Sequence, residues 1–328
     1  MHHLTWGILG AGHIAHKFAR GLATISDRAT AYAIGSRSRE KADAFAQQYS
    51  LPRAYGSYEE VLADPAVDIV YIALPNHLHA EWSIKAARAG KHILCEKPVT
   101  ANLAELEEVL AVVKQHDVFF MEAFMYRCHP QWQKVREIIA AGLIGEVRML
   151  QGVFAYNMGT GGDNFRLLKS AASGALMDVG CYCVSFARMI AQAEPIECHA
   201  VAHLGSTSQV DEQGTALLKF PHGIVAAITF AMECNVPDTA AIYGSQGSII
   251  LTSPWLPTDD NACVIVDAAG RQEYQVKAGI DLYVNEALHV AQYIDARQAP
   301  AMSWADSLGQ ARTLDALRAS MGLHWEGE

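Results

Sequence analysis

The stretch Trp6-Gly7-Ile8-Leu9-Gly10-Ala11-Gly12-His13-Ile14-Ala15 joins a short apolar run to the beginning of a helical pattern. Its Gly-x-Gly-x-x-Ala spacing permits a tight turn after a strand and lets the backbone approach a pyrophosphate at the helix start. In isolation the pattern is weak, because a purely structural glycine turn has the same spacing. Its place at the first strand–helix junction favours a dinucleotide site. The predicted binding residues of this turn are Gly10, Gly12, His13 and Ile14.

Short apolar runs alternate with helical patterns over residues 5–123. The apolar runs are mostly continuous, as in strands buried on both faces of a sheet; they are 6–9, 31–34, 67–73, 92–95 and 118–121. The helical patterns between them are 39–49, 57–63, 77–89 and 102–115. This alternation predicts a Rossmann fold with a doubly wound parallel sheet, and a first domain over residues 1–124.

After Phe124 the apolar runs are separated by Gly, Pro, Asn and Asp turns. These runs are 147–156, 196–204, 216–220, 225–230, 249–251 and 263–266. Helical patterns recur at 131–141, 181–191, 282–296 and 304–321. This pattern of short apolar runs, turns and helical segments predicts an α+β domain over residues 125–328, with an open, mostly antiparallel sheet and helices on one face.

Composition narrows the class of protein. With 328 residues, 51% hydrophobic and 18% charged, the chain can bury enough apolar surface to fold. Its formal net charge of -10 disfavours nucleic acid and anionic membranes as partners. We expect a cytoplasmic protein, because neither an export signal nor an apolar run of about 18 residues is visible. Seven cysteines are typical of reduced thiols here, and no metal site is expected without Cys-x-x-Cys or His-Glu-x-x-His.

The second strand runs into Gly35-Ser36-Arg37-Ser38-Arg39, with no acid where an NAD enzyme usually holds the adenosine ribose. Ser36 and Arg37 can hydrogen-bond and neutralise the 2′-phosphate of NADP. Lys41 is a further candidate one turn later, although it equally suits a solvated first helical turn, the interpretation that we favour for it. The pattern predicts NADP rather than NAD.

Two more strands are followed by polar side chains. Ala73-Leu74-Pro75-Asn76-His77-Leu78-His79 follows one and Cys95-Glu96-Lys97-Pro98 follows the next, at the edge where open sheets bind ligands. A lysine there can orient a substrate hydroxyl or take part in proton transfer. A Glu-Lys pair at a helix start explains the same spacing, so spacing alone does not choose.

In the second part, Gly174-Ala175-Leu176-Met177-Asp178-Val179-Gly180-Cys181-Tyr182 places an acid and a phenol four residues apart, one turn if the segment is helical. The pair suits proton transfer, and it equally suits a buried Tyr with an Asp acceptor. Gly159-Thr160-Gly161-Gly162 lacks the Lys-Ser/Thr ending of a P-loop. We expect it to form a flexible loop beside the active site.

Together, the glycine turn, Pro75-Asn76-x-x-His79, Glu96-Lys97-Pro98 and the Gly174–Tyr182 segment resemble the Gfo/Idh/MocA family (glucose–fructose oxidoreductase, inositol dehydrogenase and rhizopine catabolism) over essentially the whole chain. With Tyr182 where inositol dehydrogenases usually carry His, the chain is more similar to dimeric dihydrodiol dehydrogenase, glucose–fructose oxidoreductase and NADP-dependent aldose dehydrogenases.

The resemblance implies hydride transfer between nicotinamide C4 and a carbinol or carbonyl carbon of a sugar, cyclitol or diol. Tyr182 would accept the hydroxyl proton with help from Lys97, and Asp178 would orient the substrate or Lys97. The positions that match cofactor contacts are Leu74, Asn76, His79, Glu96, Lys97, Phe165 and Arg166. The expected substrate contacts are Met125, Arg127, Phe154 and Tyr182. Met125 stands where dihydrodiol dehydrogenases carry Trp, which argues against their aromatic diol specificity.

The resemblance also implies a substrate cleft between the two domains and a homodimer or tetramer formed through the exposed face of the second sheet. Two alternatives come from other classes of protein. A redox-neutral glycoside hydrolase of the same architecture would hold its cofactor tightly and show no net reduction of added NADP. A non-catalytic dinucleotide-sensing regulator would typically lack the lysine or the tyrosine, both of which this chain keeps.

Overall fold

The structure is a computed structural model that describes residues 2–159 and 164–325. The chain forms two compact units, one of Met1–Cys128 with Ile280–Leu308 and one of His129–Gly279 with Gly309–Glu328. These ranges differ from a division after Phe124 because a late helix, α8 (Leu282–Tyr293), packs on α1 (His13–Ala23). At Gly21 the approach is close: a Cβ there would lie 3.2 Å from Val284.

The first unit contains the predicted Rossmann sheet. Its described strands are parallel neighbours in the order β3-β2-β1-β4-β5-β6. They are β1 (Leu4–Leu9), β2 (Ala29–Gly35), β3 (Arg53–Tyr55), β4 (Ile69–Ile72), β5 (His92–Glu96) and β6 (Phe120–Ala123). The helices between them are α1, α2 (Arg39–Tyr49), α3 (Tyr58–Ala63), α4 (His79–Arg88) and α5 (Leu103–Gln115). The order reverses beside β1, which creates the crevice where such sheets bind ligands.

Side-chain caps begin several of these helices. The Ser57 hydroxyl accepts the Glu60 N–H while the Glu60 carboxylate accepts the Ser57 N–H, which forms a capping box at the start of α3. At α5 the Asn102 side chain accepts the Glu105 N–H, but the Glu105 carboxylate bonds to the Ala101 N–H instead. These caps satisfy N–H groups that have no partner inside the helix.

The second unit contains the predicted, mostly antiparallel sheet. Its order is β14-β13-β12-β11-β7-β10-β9-β8, with β7 and β10 parallel and the other neighbours antiparallel. The described strands are β7 (Val147–Ala155), β8 (Glu197–Leu204), β9 (Asp211–Lys219), β10 (Val225–Ala231), β11 (Thr239–Gly244), β12 (Ser248–Leu251), β13 (Cys263–Asp267) and β14 (Arg271–Gln275). Helices α6 (Pro130–Ala140) and α7 (Cys181–Ala191) belong to this unit, and α9 spans Trp304–Ser320.

One face of this sheet is buried against α7. Leu150, Leu218, Ala226 and Ile242 are at most 1% exposed on that face. A Cβ at Gly152 would lie 3.1 Å from Cys183 of α7, so the helix lies directly on the strand. Alternate residues point to the opposite face, where several apolar side chains are exposed.

One described segment, Lys169–Ala191, is long and apolar enough to cross a membrane by length and composition alone. It is not a continuous apolar run, because short polar breaks interrupt it. Of its most apolar 18-residue stretch, 83% is buried, and packing in the core of the second unit accounts for the apolar character. All seven cysteines are free thiols.

Candidate active site

The glycine turn after β1 leaves an open approach to the start of α1. Gly10 has φ +99°, and a Cβ there would lie 2.7 Å from the Ala73 carbonyl oxygen, so the turn requires glycine. Gly12 precedes the helix, and a Cβ there would meet nothing within 4 Å. No acidic residue occurs in the first turn of α1. Space, free helix-start amides and the helix dipole therefore fit a dinucleotide pyrophosphate. His13 is exposed and Ile14 half-buried beside it.

The end of β2 presents a guanidinium and hydroxyl groups without a carboxylate. Ser36 is buried, and its Oγ accepts the Ser38 N–H at 3.2 Å. Arg37 is exposed and hydrogen-bonds the Tyr58 hydroxyl. Arg39 is paired with Asp43 at 2.9 Å, which leaves Arg37 as the better candidate for binding an anion.

Lys41 is exposed on the first turn of α2. Its backbone N–H donates a hydrogen bond to the Ser38 hydroxyl oxygen, the N-cap of α2. Its ammonium forms no ion pair among the described residues. Both the predicted solvated state and a helper role toward a 2′-phosphate are consistent with this placement.

His79 connects the loops that follow β4 and β5. It is fully buried, with Nδ1 2.8 Å from the Pro98 carbonyl oxygen and Nε2 2.7 Å from that of Leu74. Burial lowers the pKa of His79 to about 4, so the ring is neutral near pH 7 and donates one of these bonds at a time. Its placement supports a role in positioning the two loops; direct contact with cofactor stays a prediction. Asn76 is buried in the first of these loops.

Lys97 follows β5 at the same sheet edge and is half-buried. The buried Glu96 carboxylate accepts the Tyr71 hydroxyl, and its other oxygen accepts the Lys97 N–H at 3.3 Å. Two residues beyond, the Val99 N–H donates to Glu122 Oε1 at 3.1 Å. The backbone on both sides of Lys97 is therefore held by buried acids.

In the second unit, Asp178 belongs to a π-helical turn, Leu176–Gly180. Its Oδ2 accepts the Tyr156 hydroxyl at 2.6 Å and Arg166 Nε at 3.0 Å. The Arg166 guanidinium also lies over the Phe165 ring, 4.7 Å from its centroid. Burial, and secondly the Asp178 charge, raise the pKa of Tyr156, so it donates as a neutral phenol. Tyr156 was not among the site residues predicted from the sequence. It is the last residue of the apolar run 147–156 and lies just beyond the carboxyl end of β7.

Tyr182, on the first turn of α7, lies in an aromatic cluster and is 4% exposed. The Phe154 ring meets it edge-on at 5.2 Å, and the Trp255 ring lies 6.3 Å away. Trp255 is fixed by a bond from its Nε1 to the Val153 carbonyl oxygen at 2.7 Å. Its only signal in the sequence is a Trp between two prolines, Pro254 and Pro257.

Met125 and Arg127 lie on a 3-10 turn of the first unit, Met125–Cys128. Both are buried. The Arg127 guanidinium pairs with Asp306 and donates to the Ala301 carbonyl oxygen at 3.0 Å. This environment is that of a structural anchor, so the substrate contacts assigned to both residues stay predictions.

The predicted residues thus form two sets. The first unit brings the glycine turn, Arg37, Asn76, His79 and Lys97 to the carboxyl edge of one sheet, and the second unit brings Phe154, Arg166, Asp178 and Tyr182 together. Of the expected glycine loop, residues 160–163 lie outside the described residues. Across residues 2–159 and 164–325, no group of three His, Cys, Asp or Glu side chains has a metal-binding arrangement.

Comparison with known proteins agrees with this architecture. The model of the Gfo/Idh/MocA oxidoreductase family with an NAD-binding Rossmann fold matches residues 4–124, and the Gfo/Idh/MocA C-terminal domain matches residues 132–250.

The chain is similar to trans-1,2-dihydrobenzene-1,2-diol dehydrogenase from Mus musculus, with 32% identity over 98% of this chain and 97% of the relative. It is also similar to D-xylose 1-dehydrogenase (NADP(+)) 2 from Haloferax volcanii, with 33% identity over 97% of each chain. Among solved structures, a 3-ketoreductase from Actinomadura kijaniata in complex with NADP and TDP-benzene has a TM-score of 0.89 and 30% identity, over 97% of this chain and 98% of that one.

Proposed function

The chain belongs to the Gfo/Idh/MocA family of oxidoreductases, and from this premise we propose that it is an NADP-dependent enzyme that interconverts a hydroxyl and a carbonyl group on a sugar, cyclitol or vicinal diol. The observation that carries the proposal is Lys97, held half-buried at the same sheet edge as the Gly10–Gly12 turn. A lysine there is placed for proton work beside a bound dinucleotide. The named relatives support the substrate class, since they act on a diol and on xylose.

The preference for NADP rests on Arg37. Residues 36–39, directly after β2, include no carboxylate, and the exposed Arg37 guanidinium can form charge-assisted bonds to a 2′-phosphate. Ser36 adds a hydroxyl. The Haloferax volcanii relative is named for NADP, and the Actinomadura kijaniata structure contains it.

Proton transfer is assigned to Tyr182 and Lys97. When bound, the cofactor supplies or accepts hydride at its nicotinamide ring. In the oxidative direction Tyr182 acts as the phenolate, which accepts the proton of the substrate hydroxyl and becomes the phenol, and the Lys97 ammonium assists by stabilising negative charge on oxygen. The Phe154 and Trp255 rings pack against Tyr182, which is 4% exposed. Asp178, held by Tyr156 and Arg166, orients the substrate.

A spectrophotometric panel tests the proposal. The purified chain is mixed with NADP or NAD and with aldoses, inositols, vicinal diols and anhydro-sugars, and the absorbance of reduced nicotinamide is followed. The reverse reaction is assayed with NADPH and the matching ketoses and keto-sugars, with the K97M variant as control. We expect turnover on one class, with NADP preferred and with K97M inactive. Glycoside cleavage without net reduction of NADP, or cofactor binding without turnover in either direction, would overturn it.

A further inference from the structure

Asp211 is a buried acid that contacts the segment carrying Asp178 and Tyr182. It begins β9, its side chain is inaccessible, and its Oδ2 accepts the Leu176 N–H at 2.6 Å. Leu176 is the first residue of the π-helical turn, and Ala175 before it contributes no side-chain cap. Asp211 therefore supplies from a neighbouring strand the cap that the turn itself lacks.

The second carboxylate oxygen of Asp211 faces Gly174. Gly174 has φ +130°, and a Cβ there would lie 2.1 Å from Asp211 Oδ1. The Gly174 carbonyl oxygen accepts the Asp178 N–H at 2.9 Å. One short path of contacts thus leads from the Asp211 carboxylate to the backbone of Asp178.

The other end of the π-helical turn is held by β10. A Cβ at Gly180 would lie 2.9 Å from the Phe230 ring, so the turn lies flat against the sheet at that point. Tyr182 follows two residues later on α7. With Asp211 at one end and Phe230 at the other, the sheet fixes where the turn begins and ends. Such turns occur often at functional sites, because they redirect side chains within a helix.

We propose that Asp211 is a positioning residue that holds the π-helical turn in register and so sets the directions of Asp178 and Tyr182. The proposal rests on the function proposed above for that pair. It predicts that loss of the cap loosens residues 174–182 and lowers turnover, while the dinucleotide residues of the first unit keep their affinity.

The ionisation of Asp211 gives the proposal a pH signature. Among the described residues, no other residue donates a hydrogen bond to Asp211 Oδ1. Burial raises the pKa of Asp211 to about 7, whereas the backbone N–H groups of Leu176 and of Asp211 itself and the Arg318 charge lower it. Arg318, from α9, is the charged side chain that acts on it among the described residues, and it is paired with Asp315 at 2.7 Å. A carboxylate accepts a stronger bond than a carboxylic acid, so the cap tightens as pH rises through about 7.

The first test is hydrogen–deuterium exchange of the full chain at pH 8, comparing wild type, Asp211→Ala and Asp211→Asn. We expect at least tenfold faster exchange of the 174–182 amides in Asp211→Ala, with β9 and β10 protected as in wild type. Asp211→Asn keeps an acceptor oxygen and should restore most of the protection. Glu212→Gln, a change of the next side chain on the strand, is the control and should leave exchange unchanged. Unaltered exchange of 174–182 in Asp211→Ala overturns the proposal.

The second test is kinetic, with a substrate from the panel. We expect Asp211→Ala to lower kcat at least tenfold while the Kd for NADPH changes less than twofold. Asp211→Asn should keep most of the turnover but lose the component of the kcat–pH profile near pH 7. If the panel yields no substrate, the proposed function fails while the exchange data still decide on the cap. If Asp211→Ala does not fold, Asp211→Asn decides: a pH profile identical to wild type contradicts the assignment.

Discussion

At the scale of single residues, the polar side chains at the carboxyl edge of the first sheet are held by other side chains and backbone groups. His79 bridges the backbone after β4 and β5, and the Glu96 and Glu122 carboxylates take the N–H groups on either side of Lys97. Such support fixes the lysine backbone and leaves its side chain at the sheet edge. Among the side chains of this loop, Lys97 is therefore the one to which we assign a part in proton transfer.

Lys97→Met removes the ammonium and keeps most of the side-chain volume. We expect turnover to fall by a factor on the order of 10² to 10⁴, the usual contribution of a positioned proton-transfer group. NADPH binding should change little, and it is measured by fluorescence titration beside the steady-state assay. Lys85→Met is the control, since Lys85 of α4 pairs with Glu81 on the same helix and with Glu59 on α3. Turnover within twofold of wild type would rule out the role of Lys97.

Arg37→Ala tests the coenzyme assignment. Loss of a guanidinium that bonds a phosphate should weaken NADPH binding by about 10- to 100-fold, the equivalent of about 1.5 to 3 kcal/mol. NADH lacks the 2′-phosphate, so its Kd should change less than about twofold. Arg39→Ala serves as control, because Arg39 is paired with Asp43. Equal weakening of both coenzymes contradicts a 2′-phosphate contact.

Several site residues could be predicted because they lie in continuous motifs. Spacing at strand ends pointed to the glycine turn and Arg37, whereas the roles of Lys97, Asp178 and Tyr182 came from the family resemblance and stay predictions. Tyr156, Trp255 and Asp211 were not predicted, because each reaches the site from a strand or loop distant in sequence. Local periodicity contains no information on such contacts, which depend on the strand order of the second sheet.

At the scale of elements, helix starts were predicted closely, both for α2, which Ser38 caps, and for α7, which has no side-chain cap. The patterns at 39–49 and 181–191 match α2 and α7 residue for residue. The missed strands were β3, β11 and β14. Two of them, β3 and β14, are exposed or half-buried edge strands, and β11 is a short Ala-rich strand of Thr239–Gly244. Their pairing is decided by neighbouring strands, which sequence patterns do not reveal.

Glu122 ties two elements together and gives the first unit a pH-dependent stability. It lies on β6 and binds the loop after β5. Burial raises the pKa of Glu122 from 4.5 to about 7, although bonds from Ser307 and the Val99 N–H lower it. The folded state therefore holds the proton more tightly than the unfolded state. The contribution of Glu122 to the free energy of unfolding is therefore greatest below pH 4.5. It falls by on the order of 3 kcal/mol as pH rises from 4.5 through about 7.

Glu122→Gln keeps an acceptor for the Val99 N–H and cannot ionise. Relative to wild type, we expect the variant to gain stability from pH 5 to about pH 7 and to show little further gain by pH 8. Urea unfolding at four pH values in this range measures the difference. Glu107→Gln, an exposed change on α5, should show no such trend. A stability difference that is constant with pH would show that Glu122 does not titrate in this window.

At the scale of the whole molecule, the outer face of the second sheet is too apolar for a surface that stays in water. Five strands of this face carry exposed apolar side chains, with the polar His199 and Gln151 among them. The apolar side chains are Val201, Leu217, Val225, Met149 and Ile250. Leu217 is 60% exposed, and Val201, two residues from His199, is 80% exposed. Contiguous apolar surface of this kind marks an interaction site. The resemblance to the family leads us to propose a second copy of the chain as the partner that covers this face.

We predict a homodimer or larger homo-oligomer in which this face pairs with itself, because a two-fold axis places the same patch on both partners. The double substitution Val201→Lys and Leu217→Lys places charges at the centre of that contact, where burying unpaired ammonium groups costs several kcal/mol. Light scattering after size exclusion should then report the monomer mass of 35.7 kDa for the variant and at least twice that for wild type. Leu143→Lys, an exposed leucine outside the sheet, should leave the mass unchanged. Since both substituted side chains are exposed, the variant should fold as a stable monomer. A wild-type chain that is monomeric, or a double-lysine variant that keeps the oligomer mass, would show that this face is not the interface.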